Sequence, residues 1–478
     1  MILPLLLLFA VAPEKDVEDS IKKLIDVLTT VQAEAADPVS TEQALYGGAI
    51  PGMLRRLDPH SVFFDPQQFE QLKQMERSES KGFGSIVSVL PGRVIVLQVL
   101  SGTPSAKSGL SPGDEILAIN NVSLASLSFE QLVEFLGESH QHQASLVVRR
   151  PGNARFMTFN LNPELVNSPS LDRAYLLKPG IAYIRLASFD PQTGKLLKQA
   201  IENLGGAKLN GLVLDLRNNP GGVVDAALQS ASLFLQPGQK ILSIKGRHVK
   251  SEEIEVPKGV TPYSFPIAIL VNEKTASAAE IVTGALQDHD RAVVIGVPSY
   301  GKGLVQTVMP LSNNTGLALT TAFYYTPSGR SIQKPLQTGQ LEFAKSPKEF
   351  KTDAGRTVIG GGGIQPDFIV EPEGVTQLRA VLEASGILTA FATDYLQTHK
   401  VAEDFHVTAS LLDDFQLYAS QHNIQPPIGE WIRDRDWIQN RLEQEIVNQS
   451  LGVAKGDEVE ARRDPAVQLA LEKLANRP

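Results

Sequence analysis

Three short, mainly apolar runs constrain the fold of this chain more than any other feature. They occupy residues 211–216, 267–271 and 292–297, and segments with helical patterning lie among them. An apolar run of this length, bounded by turn-forming residues, is typical of a buried strand. Alternation of such strands with helices predicts an α/β layer, which we place over residues 163–372.

The rest of the chain predicts further regions around that layer. Residues 1–12 are apolar, too short to span a bilayer and end in an A-x-A-like sequence, which predicts a secretory signal segment. A buried first strand is the alternative for this segment. Helical spacing predicts a helical N-terminal region over 14–79 and a helical C-terminal domain over 373–478, whereas short strands and Gly/Pro turns predict a β module over 80–162. The predicted fold class is multidomain α+β, and the predicted location is the periplasm or otherwise secreted or cell-envelope space.

Composition excludes several classes of site. The chain has 478 residues, too many for one hydrophobic core, and a net charge of −9, which argues against nucleic-acid binding. It contains no cysteine, so disulfides, cysteine nucleophiles and thiolate metal sites are excluded. Neither a cluster with metal-ligand spacing nor a phosphate-binding loop occurs, so we expect no metal and no cofactor.

Residues 109–120, with the sequence GLSPGDEILAIN, form a turn followed by a strand and resemble the signature of PDZ domains. Upstream, residues 82–85 resemble the PDZ carboxylate-binding loop. Glycines let backbone N–H groups converge on a carboxylate, and the next strand can pair with an extended peptide. The resemblance implies that substrate C-termini bind Gly82, Phe83, Gly84 and Ser85. A Gly-rich hairpin without a ligand is the alternative.

Ser277 follows a buried strand that ends at Asn272 and stands where a helix begins. The free amides of a helix N-terminus can hold a developing oxyanion beside such a serine. The alternative is structural, because residues 277–280 read SAAE and match a helix capping box.

Lys302 follows another buried strand and stands between Gly301 and Gly303. The glycines permit unusual backbone angles and close packing around the lysine. A buried lysine loses its proton readily and then serves as a general base. Because Gly301 and Gly303 can take backbone angles closed to other residues, we predict a sharp turn at residues 301–303, with a regular strand beginning only near Leu304.

Together these segments resemble the C-terminal processing peptidases, the tail-specific serine proteases of family S41. Lys302 follows Ser277 by 25 residues, as in that family's pattern. The resemblance implies Ser277 as nucleophile, Lys302 as general base and Gln306 as the residue that orients the lysine. Thr275 and Ala279 stand where serines are common in the family, but neither position is the nucleophile.

The turn at residues 215–222 also resembles the family. The resemblance implies an oxyanion hole formed by the N–H of Gly221 or Gly222 together with that of Ala278. A plain strand-to-helix turn is the alternative. Further similar motifs lie at 57–61, 325–330 and 363–367, so the resemblance covers residues 40–370 and implies a crotonase-like protease core.

Two histidines could be mistaken for a triad base. His289 follows Ser277 by 12 residues along the predicted helix, which is about 18 Å and too far to share a proton. Asp288 is expected instead to help hold the C-terminal end of that helix. His60 lies in the motif at 57–61, remote in sequence from Ser277, and is expected to be structural.

The combined pattern predicts a serine endopeptidase that cleaves proteins near or from their C-terminal tails through a Ser–Lys dyad and an acyl-enzyme. Its partners would be protein substrates bound through their C-termini, with no nucleic acid. Amphipathic helices over 403–450 suggest a homodimer. One alternative is a catalytically silent PDZ adaptor or scaffold of the cell envelope. Another is a crotonase-like acyl-CoA enzyme, which would have no use for the serine–lysine pair.

Overall fold

The computed structural model describes residues 15–476, except 77–78, 91–92, 101, 141, 152, 154, 168, 249 and 336–347. The predicted signal segment, residues 1–12, lies outside the described residues. The chain divides into two compact units. The first comprises residues 1–71, 304–322 and 335–345, and the second comprises residues 72–303, 323–334 and 346–478. Within the described ranges, no helix is both long and apolar enough to cross a membrane.

The N-terminal region is mainly helical, as predicted. Its elements are α1 (Lys15–Glu34), α2 (Thr41–Ala44), a π-helical turn (Leu45–Ala49), α3 (Ile50–Leu54), β1 (Val62–Phe64) and α4 (Pro66–Glu76). Strand β1 was not predicted, because three residues carry no readable periodicity. It pairs antiparallel with residues 316–318, which belong to the same unit.

The predicted β module is a small antiparallel sheet with two helices. Its elements are β2 (Glu79–Gly82), β3 (Ser85–Leu90), β4 (Arg93–Val99), α5 (Pro104–Ser108), β5 (Glu115–Ile119), β6 (Val122–Ser123), a 3₁₀ turn (Leu124–Ser126), α6 (Phe129–Ser139), β7 (Ala144–Arg149), β8 (Met157–Leu161) and β9 (Glu164–Asn167). The sheet order is β3-β4-β5-β7-β8, with β6 on β5 and a separate β2–β9 pair. Alternating residues such as Val94, Val96 and Leu146 form its core together with Leu132 of α6.

The three apolar runs are buried strands, as predicted, and the structure places them as neighbours in one six-stranded sheet. The elements of this part are β10 (Leu171–Lys178), β11 (Ile181–Leu186), α7 (Thr193–Leu204), a 3₁₀ turn (Gly206–Lys208), β12 (Gly211–Asp215), α8 (Val224–Ser232), β13 (Lys240–Lys245), β14 (Glu252–Glu255), β15 (Ile267–Val271), α9 (Ala278–Asp288), β16 (Ala292–Gly296), β17 (Leu304–Pro310), a 3₁₀ turn (Ser312–Asn314), β18 (Gly316–Tyr325), β19 (Glu349–Lys351), β20 (Thr357–Ile359) and β21 (Phe368–Ile369). The sheet order is β10-β11-β12-β15-β16-β21, and only β10 is antiparallel to its neighbour.

The C-terminal region is helical, as predicted. It contains α10 (Gln377–Ser385), α11 (Ile387–Thr398), α12 (Ala409–Gln421), α13 (Ile428–Leu451), α14 (Val453–Ala461) and α15 (Pro465–Ala475). Helices α10 to α13 share a core that includes Phe415, Trp431 and Ile438. Helix α15 instead packs on the six-stranded sheet, where Leu471 and Leu474 belong to the same cluster as Val213, Leu270 and Ile295. This cover explains why the strands are apolar on both faces.

Parallel strands place the candidate site residues at one edge of the sheet. Strand β12 leads into the turn at 215–222, β15 leads to Ser277, and β16 leads to Lys302. Because these strands are parallel neighbours, the segments that follow them emerge at the same carboxyl edge, where open α/β sheets bind their ligands.

Candidate active site

Ser277 stands between β15 and α9, as predicted, but its backbone is not that of an ordinary helix cap. Its dihedral angles are φ 54° and ψ −117°, whereas Thr376, which caps α10, has the usual extended values of φ −75° and ψ 161°. A positive φ at a residue with a side chain costs free energy and is concentrated at functional sites. The strain therefore argues against capping as the sole role of Ser277.

The carboxylate of Glu280 joins the serine segment to the lysine segment. Its Oε2 accepts the backbone N–H groups of Ser277 at 2.8 Å and of Lys302 at 2.9 Å. Its Oε1 accepts the N–H of Gly301 at 2.7 Å and the hydroxyl of Ser299 at 2.5 Å. The two backbone nitrogens that share Oε2 therefore lie within two hydrogen-bond lengths of each other.

Glu280 is completely buried. Burial raises the pKa of its carboxyl group, while the hydrogen bonds from Ser299 and the three backbone N–H groups lower it, and the net shift is upward. The local sequence identifies Glu280 only as part of a capping box. Its contact with the lysine segment was missed, because no local pattern reports a contact 22 residues away.

The predicted late start of β17 is confirmed, whereas residues 301–303 form irregular backbone without a turn or bend, so the sharp turn remains a prediction. Gly301 has φ 87°, and β17 begins at Leu304. A Cβ added to Gly303 would lie 3.0 Å from the backbone nitrogen of Gln333. The backbone of Gly303 is also bound, since its N–H donates to Gln333 Oε1 at 2.9 Å and its carbonyl accepts the N–H of Tyr324 at 3.0 Å. Lys302 is half-buried.

Tyr324 is a second residue that the sequence analysis did not single out. Its buried hydroxyl donates to the Ser277 carbonyl at 3.2 Å. Burial, and to a lesser degree the charge of Glu280, raises the pKa of Tyr324 well above its usual value. Tyr324 is therefore a neutral donor that helps hold the strained serine backbone.

The turn at residues 215–222 packs directly against the serine segment. The Asn219 carbonyl accepts the N–H of Ala276 at 2.9 Å. A Cβ added to Gly221, which has φ 95°, would lie 2.8 Å from both the Ser277 Cβ and the Ala278 nitrogen. Only glycine therefore fits there.

The two glycines of this turn differ in their N–H groups. The Gly221 N–H donates to Asn219 Oδ1 at 2.8 Å. Gly222 forms a parallel bridge with Phe189 in which the Gly221 carbonyl and the Val223 N–H make the hydrogen bonds. In such a bridge the N–H of the central residue points to the opposite side, so Gly222 is the better placed of the two to donate elsewhere.

Gln306 lies in β17, which belongs to the first unit. Its side-chain amide donates to the His60 carbonyl. The motif at 57–61 is itself ordered by the buried Asp58, which accepts the N–H of His60 at 2.7 Å and the hydroxyl of Ser61 at 2.8 Å. The predicted role of Gln306 in orienting Lys302 remains a prediction.

Comparison with known proteins now decides the family. The sequence model for peptidase family S41 matches residues 180–340, and that for the PDZ domain matches residues 95–150. The chain is 36% identical over 302 residues to a carboxy-terminal-processing protease of Bartonella bacilliformis, covering 62% of this chain and 68% of that protein. It is 31% identical over 329 residues to a carboxyl-terminal-processing protease of Synechocystis, covering 66% of this chain and 77% of that one. The chain belongs to the carboxy-terminal-processing proteases of family S41.

Family membership makes this chain a serine-type peptidase with protein substrates. A solved photosystem II D1 C-terminal processing protease is also similar, at 25% identity over 73% of this chain and 88% of that one. Its TM-score of 0.40 is too low to support any argument about geometry.

The loop at residues 82–85, predicted to bind the substrate carboxylate, is anchored through its carbonyl groups. The Phe83 carbonyl accepts the N–H of Ser105 at 2.9 Å, and the Gly84 carbonyl accepts that of Leu100 at 2.9 Å. Gly84 has φ 76°, and a Cβ there would lie 2.3 Å from the Thr103 side chain. The loop is therefore built around a glycine that no other residue can replace without rearrangement.

His289 lies at the far end of α9 from Ser277. Its Nδ1 contacts Asp353 Oδ2 at 2.7 Å, and its Nε2 contacts the Lys240 carbonyl at 2.7 Å. Asp288 accepts a hydrogen bond from the completely buried Arg330 at 2.7 Å. The expectation that Asp288 holds this end of the helix is confirmed. Within the described ranges, no group of three His, Asp or Glu residues could hold a metal ion.

Proposed function

We propose that this S41 peptidase cleaves protein tails through a Ser277–Lys302 dyad and that its PDZ module binds the substrate C-terminus. The observation that carries the dyad is the shared Glu280 oxygen, which holds the backbones of Ser277 and Lys302 side by side. The strained backbone of Ser277 supports its assignment as nucleophile.

In the proposed mechanism, neutral Lys302 accepts the hydroxyl proton of Ser277 as the oxygen attacks the scissile carbonyl. The tetrahedral intermediate collapses when the protonated lysine gives its proton to the leaving amine. Water then attacks the acyl-enzyme, with Lys302 again as the base, and releases the carboxylate product and free Ser277. Gln306 is proposed to orient the lysine, as the family resemblance implies.

The oxyanion hole is proposed to consist of the N–H groups of Gly222 and Ala278. Both belong to segments that pack against each other at Ser277. Gly221, the other glycine considered, already donates its N–H to Asn219. Its contribution is therefore proposed to be steric, since it lets the turn approach the serine backbone.

The substrate tail is proposed to add as a strand to β3. In the described part of the module, β3 is one of the two edge strands of the sheet, and α6 packs beside it. The first half of α6 presents Phe129 and Val133 to solvent, 45% and 49% exposed, one helical turn apart. An exposed strand edge beside an apolar helix surface suits an extended peptide with an apolar tail. The carboxylate of that tail is proposed to bind at Gly82, Phe83, Gly84 and Ser85.

The dyad is tested by labelling with a fluorophosphonate serine probe and by cleavage of a quenched fluorescent peptide. Ser277→Ala should abolish labelling. Ser277→Ala and Lys302→Ala should each reduce cleavage by at least about 10⁴-fold, and the double variant should be no worse, because residues that act as one unit are not additive. Substantial turnover by Lys302→Ala would refute its assignment as the base.

Recognition of the substrate tail is tested by comparing two forms of the quenched fluorescent peptide, one with a free C-terminus and one with an amidated C-terminus. A free apolar tail should give the lower KM, and Phe129→Ser should remove the difference while leaving kcat on the amidated peptide unchanged. Equal KM values for the two peptides would exclude tail recognition without affecting the dyad.

A further inference from the structure

The C-terminal region contacts the proposed oxyanion turn through Asp464. Asp464 is the N-cap of α15, and its Oδ1 accepts the N–H of Ala466 at 2.8 Å and of Val467 at 3.3 Å. Its other oxygen, Oδ2, accepts a hydrogen bond from Arg217 Nη1 at 2.5 Å. One carboxylate therefore starts the helix and binds the turn.

Arg217 lies within the turn and is held on its other side by Asp215. Its Nη2 donates to Asp215 Oδ2 at 2.6 Å, and its Nε lies 3.0 Å from Oδ1. Asp215 is buried and also accepts the hydroxyl of Tyr183 at 2.7 Å. Burial lowers the pKa of Arg217, but Asp215 and Asp464 raise it more strongly, so the guanidinium is charged.

The same turn touches the catalytic serine segment through its backbone. The Asn219 carbonyl accepts the N–H of Ala276, the residue before Ser277, and Gly221 is packed against Ser277 and Ala278. A continuous series of contacts thus runs from α15 through Arg217 and the turn to the nucleophile.

We propose that Asp464 is a positioning residue that acts through Arg217 to hold the oxyanion turn against Ser277. This inference rests on the proposed function, which assigns the turn its catalytic role. Charge-assisted hydrogen bonds are about twice as strong as neutral ones, and a misplacement of about 1 Å in an active site costs about 10²-fold in rate. The helical C-terminal region, which lies outside the S41 match, thereby contributes to catalysis.

Asp457 provides a matched control. It belongs to the same C-terminal region and accepts hydrogen bonds from Arg173 Nε at 2.5 Å and Arg185 Nη2 at 3.0 Å. Both arginines lie on strands of the sheet, β10 and β11, so this pair also joins the C-terminal region to the core. Its arginines lie outside the turn at residues 215–222.

The experiment compares Asp464→Asn with Asp457→Asn in the full chain. Asparagine is a good N-cap, so the first variant keeps the cap of α15 and loses only the charged contact. We expect kcat on the quenched fluorescent peptide to fall about tenfold or more for Asp464→Asn, with KM unchanged, and fluorophosphonate labelling to slow in parallel. Asp457→Asn should keep kcat within about twofold, while thermal unfolding shows a similar loss of stability in both.

A double variant tests the route through Arg217. If Asp464 acts through Arg217, then Arg217→Met with Asp464→Asn should be no slower than Arg217→Met alone. Additive losses would overturn the proposal, and so would a kcat for Asp464→Asn within twofold of the parent. If the Asn variant fails to fold, Asp464→Ser, which also preserves a cap, takes its place. Retained activity in Ser277→Ala would instead refute the proposed function itself.

Discussion

At the scale of single residues, Glu280 decides how close the serine and lysine segments come. Each of its carboxylate oxygens accepts two donors. Glutamine would place an NH₂ group opposite two of those donors and leave them without an acceptor. The arrangement therefore requires a carboxylate and not merely a polar side chain of the same size.

We predict that Glu280→Gln lowers kcat by at least about tenfold, because the two segments separate. The same change should lower the free energy of unfolding by about 1–3 kcal/mol, because it leaves buried donors without an acceptor. Peptide cleavage and urea unfolding measure the two effects. Glu273→Gln, at an exposed position in the loop between β15 and α9, is the control and should change neither. Wild-type kcat in Glu280→Gln would contradict the role given to this carboxylate.

Gly303 directly follows Lys302 and packs closely against the backbone of Gln333. Gly303→Val should reduce activity by about 10²-fold or more, because the added side chain meets the Gln333 backbone and displaces the lysine. The cost in stability should be smaller, about 1–3 kcal/mol, as for other overpacked sites. Gly374→Val is the control, since no atom lies within 4 Å of an added Cβ there. Full activity in Gly303→Val, even with a loss of stability of this size, would show that the position does not control the placement of Lys302.

At the scale of elements, α15 serves as the cover of one sheet face. Leu474 is 4% exposed, and its Cδ1 would lie 3.2 Å from a Cβ added to Gly211, at the start of β12. We predict that Leu474→Ala lowers the free energy of unfolding by about 2–5 kcal/mol. Leu417→Ala, at a position 61% exposed, should change it by less than about 0.5 kcal/mol. A similar small effect at Leu474 in denaturant titrations would mean that α15 is not part of the core.

At the scale of the whole molecule, self-association remains a prediction. Within residues 403–450, the large apolar side chains of Leu417, Ile428 and Ile432 are 61%, 66% and 65% exposed. Exposed apolar side chains that cluster mark contact surfaces, and Ile428 and Ile432 lie one turn apart on α13. We expect a homodimer in sedimentation at micromolar concentration and a monomer for Ile432→Glu. A monomer for the parent chain would refute the dimer.

Location also remains a prediction at this scale. It depends on residues 1–12, which carry the predicted secretory signal and the expected periplasmic or cell-envelope location. Fractionation of cells expressing the full chain, with and without this segment, tests it.

The sequence by itself predicted the main strands and helices of the core and suggested Ser277 and Lys302 as the reactive pair. Apolar runs and helical spacing predicted β12, β15, β16 and α9, because the period of burial is a local property. The glycines around Lys302 predicted that β17 begins only near Leu304, because allowed backbone angles are also local.

Only the tertiary structure decided which of these groups meet. Glu280 contacts Lys302 because β15 and β16 are parallel neighbours. Gly222 is the better candidate for the proposed oxyanion hole, because the Gly221 N–H already donates to Asn219. Asp464 reaches Arg217 across 247 residues of sequence. Such contacts depend on strand order and on the packing of distant segments, which no local periodicity records.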